Sequence, residues 1–272
     1  MTDVAEHYTR GEGLAARIAA SLKQDGKDLA AITTADLGPV DEFHIRGRKA
    51  TLELGEALLL GPTTRVLDLG SGLGGPARTL AETWGCHVTG IDLTPEFCRA
   101  ADEMSGWVGL SDKVRFVQGD ATALPFEDNA FDAALTVHVA MNIAAKDKLY
   151  AEAHRVLKPG ARFAVYDVMQ GEGGDIIYPV PWARDASISF VATPDEVGEL
   201  LVAAGFTRLE RIDSTEESLD WFKDVAARIA RSGARASSSG IVFGEGFEEM
   251  VRNQVQNLTE CRIRTVSFLC EA

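Results

Sequence analysis

Short apolar runs of strand length recur along this chain, separated by stretches whose apolar residues fall three or four apart, as on one face of a helix. The first 45 residues are polar to mildly amphipathic and carry Gly11, Gly13, Gly26 and Gly38-Pro39. One helix is predicted there, at roughly 12–24, followed by an irregular segment. Ala50, Leu54, Ala57 and Leu58 then recur at helical spacing until Gly61-Pro62 stops the run. Beyond it, strands predicted at Arg65–Leu69, Cys86–Ile91, Val114–Gln118, Phe131–Val137 and Ala161–Val168 alternate with helices. Those helices are Gly74–Trp84, one opened by Thr94-Pro95-Glu96, and Lys146–Leu157, which Lys158-Pro159-Gly160 ends. Thr193-Pro194-Asp195-Glu196 reads as a capping box opening a helix to Ala204. A strand at Phe206–Ile212, helices at Glu217–Ile229 and Phe247–Cys261, and a last strand at Arg262–Cys270 complete the pattern; Ser232–Gly240 reads as a flexible loop. Strands alternating with helices at this spacing predict an α/β fold with a parallel sheet of seven strands, not two domains. Residues 170–192 are too long for a plain connection, and Gly, Pro, Tyr and Trp there suggest a functional insertion.

Composition narrows the class. The chain has 272 residues, 46% hydrophobic and 25% charged, which excludes global disorder and a coiled-coil rod. With 27 Lys+Arg against 41 Asp+Glu the net charge is −14, which argues against nucleic acid as a partner. No apolar stretch approaches the roughly 18 residues that span a bilayer, so no membrane is expected. The start, MTDVAEHYTR, lacks a basic segment followed by an apolar run, so no signal peptide is expected. Cys86, Cys98, Cys261 and Cys270 form no C-x-x-C pair, and His and Cys show no zinc spacing. Reduced, buried thiols in a cytoplasmic protein without a metal are expected.

The chemistry concentrates in VLDLGSGLGGPA, Val66–Ala77, where a strand runs through a glycine-rich turn into a helix. Glycines let a ligand approach the main chain, and a helix N-terminus offers free N–H groups. Gly70, Gly72 and Gly75 satisfy the Gly-x-Gly-x-x-Gly pattern of dinucleotide sites. Gly70, Gly72 and Gly74 equally satisfy acidic-x-Gly-x-Gly-x-Gly, with Asp68 as the acid; a tight turn with no ligand is the plain alternative. Asp92 ends the second strand, twenty residues after Gly72, where a carboxylate can accept bonds from ribose hydroxyls or merely cap the next helix. Asp120 ends the third strand and can accept a bond from an adenine amino group or serve only as a loop carboxylate. Together the three acids stand at the carboxyl ends of adjacent parallel strands, where open α/β sheets bind ligands. No Lys-Ser/Thr pair follows the glycines, so this is not a nucleotide-triphosphate loop. Three acids without a cation in the turn suit a positively charged, phosphate-free ligand such as S-adenosylmethionine better than a polyphosphate.

Over about residues 46–212 the chain resembles the class I S-adenosylmethionine-dependent methyltransferases, through VLDLGSGLGG, GIDLTPEF, VQGDATALPFEDNAFDAALTVHVAMNI and EAHRVLKPGARFAVYDV. Within that class it is similar to the small-molecule branch, which includes sarcosine/dimethylglycine N-methyltransferases and quinone-biosynthesis C-methyltransferases. The resemblance implies a Rossmann-like, mostly parallel sheet of order 3-2-1-4-5-7-6 with helices on both faces and an antiparallel last strand. It implies an N-terminal helical lid over 1–45, with Tyr8 and His44 closing on the cofactor, and a methyltransferase domain over 46–272. It implies that Asp68, Gly70 and Gly72 hold the methionine end of S-adenosylmethionine, Asp92 the ribose, Leu93 the adenine face, and Asp120 and Ala121 the adenine edge. Thr136, Val137 and His138 would flank the methionine and the methyl group; relatives often carry a polar residue near Val137, where this chain departs.

Methyl transfer from a sulfonium needs orientation of the acceptor first and a base only if the acceptor arrives protonated. His138 is the best candidate base by type and position, or it only lines the pocket. Asp167, ending the fifth strand, is expected to face the same cleft and to orient a cationic amine or take a proton, unless it is only a solvated strand end. Tyr178, Pro179, Pro181 and Trp182 can form an apolar wall over the substrate, where aromatic faces attract amines, or simply pack the insertion. Asn253 and Asn257 share a helix face that reads as solvated. His7, His87 and His154 carry no functional reading, His154 being structural. The acceptor is a small molecule, an amine favoured, with C- or O-methylation of a quinone or phenol-like acceptor as the alternative. An NAD-dependent oxidoreductase and a non-catalytic cofactor-binding protein are the competing classes, although no Tyr-x-x-x-Lys is present for the first. The oligomeric state is left open, a homodimer included.

Overall fold

The structure, a computed structural model, describes residues 13–232, 244 and 246–272. Seven strands form one sheet: β1 Arg65–Leu69, β2 His87–Asp92, β3 Val114–Gln118, β4 Phe131–Val137, β5 Leu157–Gln170, β6 Thr207–Asp213 and β7 Ile263–Glu271. Their order is β3-β2-β1-β4-β5-β7-β6, as the resemblance implies. The first five pair in parallel, and β7 runs antiparallel to both β5 and β6. Nine helices are described: α1 Leu14–Gln24, α2 Thr34–Asp41, α3 Gly47–Ala57, α4 Gly75–Trp84, α5 Pro95–Trp107, α6 Lys146–Val156, α7 Pro194–Ala203, α8 Thr215–Ser232 and α9 Phe247–Thr259. Among the described residues no helix is long and apolar enough to cross a membrane.

Alternation along the strands explains the layers. In β1, Leu67 and Leu69 face α6 and α7, where Leu149, Tyr150, Val156 and Leu201 close one core. Val66 faces the other way, toward Leu54 of α3, Leu80 of α4 and Ala101 of α5. Asp68 has the same parity as Val66, so its carboxyl is carried into this second layer. A third apolar cluster joins α1 and α2 to α5 through Ile18, Leu37, Leu73 and Met104. The N-terminal helices thus rest on the glycine turn and the helix after the second strand.

The structure departs from the sequence expectations at three points. The segment before Arg46 is not irregular throughout, because Thr33 and Asp36 form a reciprocal capping box that opens α2. Only Leu37 and Val40 of its apolar residues are buried, so the helix has almost no apolar periodicity to reveal it. Lys158-Pro159-Gly160 is not a turn between helix and strand but the bulged start of β5, where Gly160 donates to the Ala272 carbonyl and Ala272 donates back to Ala161. A C-terminal partner over 100 residues away made that segment a strand. Cys86, Cys98 and Cys270 are buried thiols as expected, but Cys261 is exposed in the turn after α9. His154 packs edge-on against Phe206, ring centroids 5.1 Å apart.

Arg78 of α4 joins these layers. It is buried, donates to the carbonyls of Leu73 and Ala101 and to Ser105 Oγ, and pairs with the buried Asp41 at 2.7 Å. Breaking a buried pair strands a charge without water, so Arg78→Met is expected to cost about 3–5 kcal/mol in urea denaturation. Adding Asp41→Asn to that variant should recover part of the loss; equal loss in single and double variants would place the effect in packing alone.

Candidate active site

The site is built where β1 ends. Gly70 and Ser71 donate their N–H groups to the Ile91 carbonyl, at 2.8 and 3.0 Å, pulling the turn onto the tip of β2. Gly72 N donates to Asp92 Oδ2 at 2.9 Å, and Thr94 N to Asp92 Oδ1 at 2.8 Å. Asp92 therefore does cap the helix opening and also grips the glycine turn. Gly70 has a positive φ of 76°, and a Cβ there would lie 2.4 Å from a methyl of Val139. Only glycine fits, because the chain leaving β4 passes directly against the turn. Gly75 sits as tightly against the backbone of Asp41. After β3, Asp120 is held in place by Thr122, whose N–H and hydroxyl both donate to Oδ1.

These strand tips border a cavity of about 380 Å³, within the size range of small-molecule sites. Of the residues singled out in the sequence, His44, Gly70, Gly72, Asp92, Leu93, Asp120, Ala121, Val137, His138, Pro181 and Trp182 line it. Tyr8 lies outside the described residues. Asp68 and Thr136 stand behind the wall, not in it: both are buried, and Asp68 Oδ2 and Thr136 Oγ1 have no hydrogen-bond partner. Burial first, then the charges of Asp92 and Glu42, push the Asp68 carboxyl up to about 7.

His138 takes a positive φ of 54° as the chain turns out of β4, and its N–H bonds the Tyr166 carbonyl at 2.8 Å. Its ring lies 5.9 Å from that of His44 and 5.0 Å from that of Tyr166. His138 Nε2 is buried without a partner. Burial, and secondarily His44, hold the imidazole well below its ordinary pKa, so it is neutral at pH 7. His44 is likewise held down, to about 4, by burial; its Nε2 lies 3.0 Å from the Gly47 carbonyl.

Asp167 does not face the cavity as expected. Its oxygens accept from the N–H groups of Met141 and Val168, at 3.0 and 2.8 Å, so it braces the loop after β4 from behind. The expected apolar wall is also rearranged. Pro181 and Trp182 line the cavity, but Tyr178 and Pro179 do not; Met141 and Phe190 take their share. The insertion is fastened by carbonyl capture. Asn142 Nδ2 donates to the Trp182 and Ile188 carbonyls, Lys146 Nζ to Ile143 and Phe190, and Trp182 Nε1 to Ser189 Oγ. Asn253 and Asn257, read as a solvated face, are buried instead: Asn253 holds the Pro179 carbonyl and Asn257 both polar backbone atoms of Ile177. Gln254 of the same helix reaches the cavity.

Sequence reasoning missed Asp41, Phe43, Ser71, Asn142, Phe190 and Gln254, all of which line the cavity. Ser71 was legible inside the glycine turn. Asp41 ends the helix that lacked periodicity and Phe43 follows it; the others come from the insertion and its fastenings. Among the described residues no cluster of three or more His, Cys, Asp or Glu could hold a metal ion.

Residues 67–165 match the family described as methyltransferase domain. That stretch is a methyltransferase domain. It spans β1 to β5 and so contains the glycine turn, Asp92, Asp120 and His138. The chain is 42% identical over 106 residues to the sterol 24-C-methyltransferase ERG6B of Gibberella zeae, an overlap of 39% of this chain and 28% of that protein. It spans less than half the length of the curated relatives it matches first. Around the methyltransferase domain, the whole fold is similar to a geranyl diphosphate methyltransferase solved with GPP and sinefungin (TM-score 0.72, 18% identity, 99% of this chain and 98% of that one). It is also similar to the [4+2]-cyclase SpnF (TM-score 0.65, 25% identity, 82% and 80%).

Two outcomes are expected from these contacts. Asn142→Ala removes two bonds to buried carbonyls and should cost about 1–3 kcal/mol, with a change in Trp182 fluorescence in the native state; unchanged emission and stability would mean the insertion is held elsewhere. Asp167 has a folded pKa raised by burial to about 7 from 3.8. Its carboxylate therefore costs folding energy as pH rises from about 4 to 7. Asp167→Asn should gain stability relative to the parent across that window, by at most about 4 kcal/mol. A difference that stays flat between pH 4 and 7 would show the carboxyl is not perturbed.

Proposed function

We propose that this protein is an S-adenosylmethionine-dependent methyltransferase acting on a small-molecule acceptor. The observation that carries this reading is the charge of the cavity: Asp41, Asp92 and Asp120 line it, and no lysine or arginine does among the described residues. A pyrophosphate-bearing cofactor such as NAD would meet Asp92 and Asp120, an Asp41 already paired with Arg78, and no free cation. S-adenosylmethionine carries an ammonium and a sulfonium and no phosphate, so the field favours it. The residues present also fit its polar groups. Gly70 and Gly72 line the cavity with backbone alone, and the buried, unpartnered Ser71 Oγ between them is an atom that a polar ligand can satisfy.

On this reading Gly70, Gly72 and Asp41 hold the methionine end, Asp92 the ribose, and Leu93, Asp120 and Ala121 the adenine. Each oxygen of Asp92 accepts a backbone N–H and keeps a further lone pair for a hydroxyl. Bound there, S-adenosylmethionine supplies a methyl group already activated on a sulfonium. Val137, His138 and Trp182 exclude water and orient the acceptor, a contribution of order 7–11 kcal/mol in well-aligned cases. His138, neutral at working pH, can receive a proton. Asp167 is spent on backbone N–H groups, which removes the main support for a cationic amine over a phenol- or quinone-like acceptor.

The likeness to a [4+2]-cyclase at 25% identity favours a second reading, in which the same cavity binds the cofactor without transferring its methyl group. Thermal shift with S-adenosylmethionine against NAD tests the cofactor, and release of labelled methyl to an acceptor panel tests the transfer. Stabilisation by NAD alone would overturn the proposal; cofactor binding with no transfer to any acceptor would favour the second reading. Asp92→Ala should weaken S-adenosylmethionine binding at least tenfold by isothermal titration, and an unchanged Kd would remove Asp92 from the ribose site.

A further inference from the structure

Sheet order divides the cavity into two chemically different halves. Asp120, Asp92 and the glycine turn follow β3, β2 and β1, on one side of the switch point. Asp41 joins them there, because α2 packs on the start of α4. The half beyond β4 and β5 is formed by Val139, Met141, Ile143, Pro181, Trp182 and Phe190. Polar side chains bordering it are His138, Asn142, Gln254 and His44, whose ring lies 5.9 Å from that of His138 and whose Nε2 is taken by the Gly47 carbonyl. Asn142 is occupied by two carbonyls of the insertion. Lys146 is turned to the Ile143 and Phe190 carbonyls and does not line the cavity. Asp167 is likewise turned to backbone.

Among the described residues this half therefore offers no cation for a phosphate and no open carboxylate for an ammonium. Moving either charge into an apolar chamber without a counter-charge is strongly unfavourable. What it does offer is a broad apolar wall and the single buried, unpartnered nitrogen of His138. A buried polar atom without a partner is the feature a ligand's own hydrogen-bonding group would satisfy.

We infer that the methyl acceptor is an uncharged, largely apolar molecule that presents one hydroxyl group to His138. The inference rests on the proposed methyl transfer. In the step it implies, the acceptor's O–H bond breaks and the proton passes to the unprotonated ring nitrogen of His138. The oxygen pair forms the new O–CH3 bond as the methyl leaves sulfur, whose S–C pair stays behind to give a neutral thioether. The imidazolium then releases its proton to water when the methyl ether departs.

The test uses the full chain saturated with S-adenosylhomocysteine, whose own binding is measured first by isothermal titration. Failure at that stage refutes the proposed function, not the acceptor class. Four probes of one size are then compared for binding: 1-naphthol, naphthalene, 1-naphthyl phosphate and 1-naphthylmethylammonium. 1-Naphthol should bind at least tenfold more tightly than the two charged probes and more tightly than naphthalene, and His138→Phe should erase its advantage over naphthalene. Tighter binding of either charged probe, no advantage of the hydroxyl, or no binding of 1-naphthol would overturn the inference. Phe190 is partly exposed at the cavity mouth, so Phe190→Glu should fold. It should lower naphthol affinity and raise that of the ammonium probe; unchanged preference would show that this wall does not meet the acceptor.

Discussion

The bond from the Gly72 N–H to the Asp92 carboxylate is the contact on which the site depends. It fixes the glycine turn at the tip of β1 to the tip of β2, while Ile91 accepts the two preceding N–H groups. The same carboxylate caps the start of α5. One side chain thus sets the distance between two strand tips, the direction of a helix and the shape of the turn. Val139 closes against Gly70 from β4, leaving no space for a side chain. Any cofactor-binding surface here is backbone first, with carboxylates placed around it by strand ends.

Charge is distributed unevenly behind that surface. Asp41, Asp68, Asp92 and Asp167 are all withdrawn from water, and burial is the first cause of each raised pKa. Only Asp41 has a close cationic partner, Arg78; the others rest on backbone N–H groups or, for Asp68 Oδ2, on nothing. Such groups are retained at a cost in stability, as is common at functional sites. The protein carries −14 overall, and in the first half of the cavity the acidic lining comes from Asp92 and Asp120, with Asp41 already paired to Arg78. The second half is apolar because the insertion after β5 is folded inward by side chains that capture its carbonyls.

The division of labour between layers follows. β1 to β4 present the glycine turn and acids at fixed spacing, since parallel pairing locks their registers: Asp68 opposite Gly90, Asp92 opposite Gln118. The N-terminal helices and the insertion are added on top, one from each end of the sheet, and between them decide what can enter.

How much of this was legible in the sequence depends on how local the causes are. The strands at Arg65–Leu69 and Phe131–Val137 could be bounded from their apolar runs, because burial on both faces leaves a continuous signal; Val114–Gln118, at the sheet edge, shows only the alternation of Val114 and Phe116 with exposed Arg115. The glycine turn, Asp92 and Asp120 were equally readable, since a turn needing positive φ and acids at strand ends are local requirements. Asp167 was misread because a strand-end carboxylate looks the same whether it faces a cleft or accepts Met141 and Val168 N–H groups. Asn253 and Asn257 looked solvated because helical spacing shows which residues share a face but not what lies against it. Asp41, Asn142 and Phe190 carried no local mark at all. Their place in the cavity comes from contacts between segments far apart in the chain, and hydrogen bonds and packing across such distances exist only once the sheet has closed.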